Sequence, residues 1–128
     1  MFLKLKQAVN AVAKCMSFVN KADPNCPQAY IDGHIQFCGI DFKVNQYTLI
    51  PRIETEDLVN EIIKLNINNM RMLDVGTGSG CIAVSVAKNL PDSTIWATDL
   101  SEQALTVAKY NAKKHKVDSQ IKFVKNNL

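Results

Sequence analysis

A glycine-rich segment carries the strongest chemical signal: Asp74-Val75-Gly76-Thr77-Gly78-Ser79-Gly80 stands where an apolar run passes into a helical pattern. Glycines allow a tight turn and leave room for a ligand against the backbone, and a helix N-terminus presents amide donors to an anionic group. Asp99 follows Gly80 by 19 residues, at the end of the next β-type run. A carboxylate placed there can accept hydrogen bonds from both hydroxyls of a ribose. The pair of anchors predicts a ligand that contains a nucleoside.

The glycine spacing separates two classes of ligand. A dinucleotide fingerprint requires its third glycine one place later, where this chain has Cys81. The form GxGxG, which suits S-adenosyl-L-methionine (SAM), fits better, so NAD is disfavoured. Taken singly, the glycines are equally consistent with an ordinary βα turn, and Asp99 with an acid beside a helix start.

The adenine edge of such a ligand needs a partner at the end of the third strand. The candidates there are Asn126, Asn127 and Leu128. The amide oxygen of Asn127 can accept from an adenine amino group. A polar tail is an equally good interpretation, so both stay open.

Other reactive residue types give weaker signals. Cys15, Cys26, Cys38 and Cys81 form no CxxC pair, so neither a zinc site nor a disulfide framework is indicated. Cys81 is interpreted as a packing residue. The net charge of +3 is weak support for nucleic-acid binding. A local basic stretch could meet RNA or a ribosomal partner, but a solvated helix face is favoured; the stretch contains Lys109, Lys113, Lys114, Lys116, Lys122 and Lys125.

The elements that must position these residues begin with a predicted amphipathic helix at residues 2–19 and a linker at 23–27. β-type runs from Tyr30 to Leu49 predict a β-hairpin around Gly39 and Asp41. Thr55 is predicted to cap the next helix. The predicted buried face of that helix comprises Leu58, Ile62, Ile63 and Leu65.

Strands and helices alternate in the second half. Strands are predicted at 70–75, 94–98 and 121–124, with helices at 81–90 and from a Ser101 cap to about His115. This alternation implies right-handed crossovers and a parallel sheet, hence an α/β fold. No continuous signal-peptide core or membrane span is evident, so a cytoplasmic location is expected.

The sequence from about Pro27 to Leu128 resembles the release-factor glutamine-N5 methyltransferase family, which is class I and SAM-dependent. The segment Leu49-Ile50-Pro51-Arg52 with Glu54-Thr55-Glu56 is its specific part, because the glycine loop alone would fit any class I methyltransferase. The other matching segments are Ala29-Tyr30-Ile31 with Gly33 and Phe37, Gly39 with Phe42, Asp74 to Ala83, and Thr98-Asp99-Leu100-Ser101 with Ala104-Leu105.

The resemblance implies a fold, a cofactor and a substrate. The fold would be a partial class I methyltransferase (Rossmann-like) parallel sheet preceded by a short helix and a β-hairpin. Its divisions would be an abbreviated helical segment at 1–26, a hairpin linker at 27–50, and the N-terminal half of a SAM-binding domain at 51–128. Gly76 to Gly80 would hold the methionine end of SAM, Asp99 the ribose, and Asn126 to Leu128 the adenine edge. The substrate would be the glutamine of the Gly-Gly-Gln motif in peptide-chain release factors.

Three departures from the family pattern qualify the resemblance. Ile53 replaces a usual proline and Asn127 a frequent aspartate, and the chain has no Asn-Pro-Pro-Tyr motif, which clamps the substrate glutamine in the family. We therefore expect a truncated or split member that does not methylate by itself. The alternative is a catalytically inactive SAM-binding or protein-interaction module. An uncovered edge of the strand at 70–75 predicts self-association, or pairing with a C-terminal half supplied in trans.

Overall fold

The structure is a computed structural model that describes residues 22–126. In chain order its elements are α1 (Gln28–Asp32), β1 (His34–Phe37), β2 (Ile40–Lys43), α2 (Ile53–Leu65), β3 (Arg71–Val75), α3 (Cys81–Asn89), β4 (Thr94–Asp99), α4 (Glu102–Lys114), a 3₁₀ turn (Asp118–Gln120) and β5 (Ile121–Lys125). The helix predicted at residues 2–19 lies outside the described residues.

A parallel sheet forms the centre of the described chain. Its order is β3-β4-β5, with Arg71 opposite Thr94 and Ile95 opposite Ile121. Helices α3 and α4 make the crossovers between consecutive strands, as the alternation predicts. The predicted α/β fold is thus confirmed, and the glycine loop and Asp99 lie at the carboxyl ends of neighbouring strands.

The β-hairpin is also confirmed, and its turn is short. Cys38 and Gly39 both have positive φ, 48° and 69°, between the paired residues Phe37 and Ile40. Two such residues make the type of turn that matches the twist of a hairpin. The Cys38 amide donates to Glu56 Oε1 at 3.0 Å, which ties the turn to α2.

The β-type interpretation of Tyr30 and Ile31 is wrong, because both residues lie in α1. Pro27 precedes this helix with a φ of −56°, and Gly33 ends it in the left-handed conformation. A hydrogen bond of 2.7 Å from Gln28 Nε2 to Asp32 Oδ1 spans the helix. These end signals override the strand preference of an aromatic and a β-branched side chain.

The start of α2 differs from the prediction. Thr55 is not its cap: the helix begins at Ile53, Arg52 is the extended residue before it, and no side chain caps the end. The Thr55 amide donates to the Arg52 carbonyl at 3.0 Å. Glu54 and Glu56 still lie in the first turn, where carboxylates interact favourably with the helix dipole.

The buried face of α2 differs from the prediction at two of its four positions. Val59 is fully buried, whereas the predicted core residues Leu58 and Leu65 are 53% and 66% exposed. Ile62 and Ile63 pack against the core, as predicted. The helix is in contact with α3.

Alternate residues of the sheet face a covered and an open side. The covered side includes Ile95 and Ala97, which are fully buried, and the core continues into the hairpin through Phe37 and Phe42. The open side includes Leu73, opposite Trp96, and Val75. Within residues 22–126, the helices therefore cover one face of the sheet.

Candidate functional site

Backbone hydrogen bonds hold the glycine loop to the end of β4. The amides of Gly76 and Thr77 both donate to the Thr98 carbonyl, at 2.8 and 2.9 Å. The Gly80 amide donates to the Thr77 carbonyl at 2.8 Å and closes the turn before α3. These hydrogen bonds attach the loop to the end of the sheet. The space around the glycines then shows which side of the loop is open to a ligand.

The three loop glycines serve two different purposes. All have positive φ, at 77°, 56° and 80° for Gly76, Gly78 and Gly80. A Cβ on Gly76 or Gly78 would have no atom within 4 Å, whereas one on Gly80 would lie 3.1 Å from Ala108 Cβ. Gly80 thus allows α4 to approach the loop, while Gly76 and Gly78 leave open space where a ligand can reach the backbone.

Asp99 lies beside the loop, as its spacing predicts. The Gly78 amide donates to Asp99 Oδ2 at 2.9 Å, and the Ser101 amide donates to Oδ1 at 2.9 Å. A carboxylate oxygen has two acceptor positions, so each oxygen can still accept one more hydrogen bond. Asp99 is half-buried and is the last residue of β4. The remaining acceptor positions fit a diol such as ribose.

The side chains of Thr77 and Ser79 are buried and face the protein interior. Thr77 Oγ1 donates to Asp74 Oδ2 at 2.8 Å, so this hydroxyl supports the loop from below. Contact between these residues and a ligand would therefore be made by their backbone.

Asn127 and Leu128 lie outside the described residues, but the Asn126 amide donates to the Asp99 carbonyl at 3.2 Å. The chain thus leaves β5 next to the proposed ribose position.

Two polar residues that support the loop were not identified as site residues from the sequence. Asp74 is buried beneath it, and burial raises the pKa of its carboxyl, opposed by the Thr77 hydroxyl and the Ala83 amide; the charge of Asp99 raises it further. Asn111 is fully buried in α4 and donates to the Ser79 carbonyl at 2.8 Å. Its signal in the sequence is a lone amide on an otherwise apolar helix face.

Cys81 follows the loop as the first residue of α3 and is buried. Burial, reinforced by the negative charge of Asp74, raises the pKa of its thiol to about 12. A protonated thiol is a poor nucleophile, in agreement with the interpretation of Cys81 as a packing residue.

Half of the predicted basic stretch is engaged within the chain. Lys114 pairs with Asp41, Lys125 Nζ lies 3.7 Å from Glu102, and Lys122 Nζ lies 5.2 Å from the centre of the Trp96 ring. Residues 22–126 contain neither a group of three metal-ligating side chains nor a helix long and apolar enough to cross a membrane.

Curated relatives match most of this chain but only part of their own length. The release factor glutamine methyltransferase of Flavobacterium psychrophilum is 50% identical over 80% of this chain and 37% of the relative. The protein of the same name from Bacteroides thetaiotaomicron is 46% identical over 84% of this chain and 38% of the relative. The chain therefore spans less than two fifths of these relatives.

Solved structures show the fold. The tRNA (uracil-54, C5)-methyltransferase of Pyrococcus abyssi, in complex with S-adenosyl-L-homocysteine, superposes with a TM-score of 0.59 at 19% identity, covering 73% of this chain and 23% of that one. A precorrin-6y C5,15-methyltransferase from Geobacter metallireducens gives a TM-score of 0.56 at 24% identity, covering 66% and 44%. Both support the Rossmann-like methyltransferase sheet predicted from the sequence.

A family model described as "methyltransferase small domain" matches residues 54–128, more than half of the chain. The match contains α2 except its first residue, together with the glycine loop, Asp99 and all three parallel strands. The chain belongs to the methyltransferase small domain family.

Proposed function

We propose that this chain is the cofactor-binding part of a SAM-dependent methyltransferase that modifies the Gly-Gly-Gln glutamine of peptide-chain release factors. The observation that carries the cofactor assignment is the 2.9 Å hydrogen bond from the Gly78 amide to Asp99, which joins the two anchors in one site. Support for the substrate comes from relatives that carry the name release factor glutamine methyltransferase at up to 50% identity. Those names favour an enzyme over an inactive binding module.

In this proposal the open backbone at Gly76 and Gly78 receives the methionine end of SAM, and the remaining acceptors of Asp99 bind the ribose hydroxyls. Asn127 and Leu128 are proposed to contact the adenine edge. SAM supplies the methyl group when bound. The described residues contribute binding and orientation, which are the requirements for an in-line transfer to a weak amide nucleophile. Translation termination takes place in the cytoplasm, so the proposed location is cytoplasmic.

Calorimetric titration with SAM tests the cofactor assignment. We expect weak binding to the wild-type chain, little binding of NAD, and a loss of about tenfold or more for Asp99→Ala because a ribose hydrogen bond to a charged acceptor disappears. Asp92→Ala is the matched control, since Asp92 is an exposed acid at the opposite end of β4. Equal SAM affinity in wild type and Asp99→Ala would exclude this site.

A methyl-transfer assay tests the substrate assignment. Because residues 1–128 contain no Asn-Pro-Pro-Tyr motif, we expect this polypeptide to bind SAM without transferring labelled methyl to a Gly-Gly-Gln release factor. Adding a polypeptide that carries the motif, taken from one of the relatives, should restore transfer. Methyl transfer by residues 1–128 alone would contradict the proposal that these residues bind the cofactor but lack the substrate-binding motif.

A further inference from the structure

One buried side chain connects the β-hairpin to the glycine loop. Asn111 Oδ1 accepts from the Lys43 amide at 2.8 Å, and its Nδ2 donates to the Lys43 carbonyl at 3.0 Å and to the Ser79 carbonyl at 2.8 Å. Both amide hydrogens are thus used. Towards β2 the carboxamide acts as the peptide of an adjacent strand would, because it pairs with the N–H and the C=O of the same residue.

The Ser79–Gly80 peptide unit is held at both of its polar ends. Its carbonyl accepts from Asn111, and its N–H, that of Gly80, donates to the Thr77 carbonyl at 2.8 Å. This peptide leads into Gly80, the residue that precedes α3, so its orientation contributes to the direction in which the helix begins. Ala108, three residues before Asn111 and on the same face of α4, packs against Gly80.

A shift of either the hairpin or the loop would leave part of the Asn111 amide without a partner in a buried site. Buried polar groups without partners are strongly unfavourable. The position of β2 and the position of the loop therefore depend on each other through this amide, although Lys43 and Ser79 lie on different elements.

We propose that Asn111 is a positioning residue that couples the docking of the hairpin to the shape of the SAM-binding loop. This inference rests on the proposed function of the loop, and it assigns to the hairpin a part in cofactor affinity. Removing the amide should loosen the loop, although the Asn111 side chain itself makes no proposed contact with SAM.

The primary test measures SAM affinity in variants that remain folded by circular dichroism. Asn111→Asp keeps the shape but points oxygen at two carbonyls, and Asn111→Ala removes the amide; each should weaken SAM binding about tenfold or more. Asn89→Ala is the matched control, because Asn89 also donates to a backbone carbonyl, Ser85 at 2.8 Å, but on α3 alone. Unchanged affinity in a folded Asn111 variant would overturn the proposal.

A double-mutant cycle separates coupling from general destabilisation. Glu56→Ala removes the acceptor of the Cys38 amide and so perturbs the hairpin turn. It should weaken SAM binding in the wild type and have little further effect in Asn111→Ala. Additive effects on affinity would show that the hairpin and the loop act independently.

Amide hydrogen exchange decides the remaining cases. If the wild type binds no SAM, the proposed function fails, but the coupling can still be tested. The Gly80 amide should exchange faster in Asn111→Ala than in the wild type, and at the wild-type rate in Asn89→Ala. If no Asn111 variant folds, saturation of the wild type with SAM should slow exchange of the Lys43 amide. An unchanged Gly80 or Lys43 rate in the respective experiment would refute the coupling.

Discussion

Replacement of Gly80 by alanine tests two reasons for a glycine at this position, the positive φ and the close approach of Ala108. At a φ of 80°, any residue with a Cβ is destabilised by about 1–2 kcal/mol. The new methyl would also lie 3.1 Å from Ala108 Cβ and 3.2 Å from its Cα. Overpacking of this kind adds about 1–3 kcal/mol, so Gly80→Ala should lower the free energy of unfolding by about 2–5 kcal/mol.

Gly33→Ala is the matched comparison, because Gly33 has a φ of 79° and a Cβ there would meet nothing within 4 Å. Urea unfolding followed by circular dichroism should show the backbone term in both variants and an excess of about 1–3 kcal/mol for Gly80→Ala. Adding Ala108→Gly should recover part of that excess in a double-mutant cycle. Equal losses for Gly33→Ala and Gly80→Ala would refute the packing argument.

Three further predictions follow, two from buried side chains and one from an exposed strand. Burial raises the pKa of Asp74 above its ordinary 3.8, so its contribution to stability falls as pH rises through the folded-state pKa. Urea unfolding at several pH values should therefore show Asp74→Asn gaining on the wild type with rising pH; a constant difference would contradict this. Since the thiol pKa of Cys81 is raised to about 12, iodoacetamide at pH 8 should label the half-buried Cys26 and spare Cys81 until the chain unfolds, as peptide mass spectrometry can show. Within the described sheet, β3 pairs only with β4, and its Leu73 is 56% exposed, so residues 1–128 should self-associate and Leu73→Lys should reduce association in sedimentation experiments; a monomer at high concentration with slow amide exchange in β3 would argue against it.

The second half of the fold could be predicted because its signals are local. The strand expected at 70–75 is observed at Arg71–Val75, and the helix expected at 81–90 is Cys81–Asn89. Ser101 caps α4 as predicted, accepting from the Ala104 amide at 3.1 Å. These elements are determined by glycines, a capping hydroxyl and short apolar runs. Each of these signals acts within a few residues, so it can be recognised in the sequence.

Features that depend on distant contacts were missed. Asn111 bonds to residues 32 and 68 positions away, and its local signal, a lone amide on an otherwise apolar helix face, reveals neither partner. On α2 the sequence does not separate Leu58 from Val59, because both are apolar, and only the packing of the folded chain buries Val59 and leaves Leu58 exposed. The proximity of the glycine loop to Asp99 could be predicted, although the two are distant in sequence, because parallel strands bring their carboxyl ends to the same side of the sheet.

The docking of the hairpin on α4 also has a consequence for the order of folding. Asp41 and its partner Lys114 are 73 residues apart, and Lys43 and Asn111 are 68 apart. Contacts of such sequence separation require closure of a long loop and form slowly. During synthesis the hairpin leaves the ribosome well before α4 does, so the hairpin has no helix to pack against until α4 has emerged. The Ser79 end of the glycine loop, which Asn111 holds, is therefore among the last parts of the described chain to reach its final geometry.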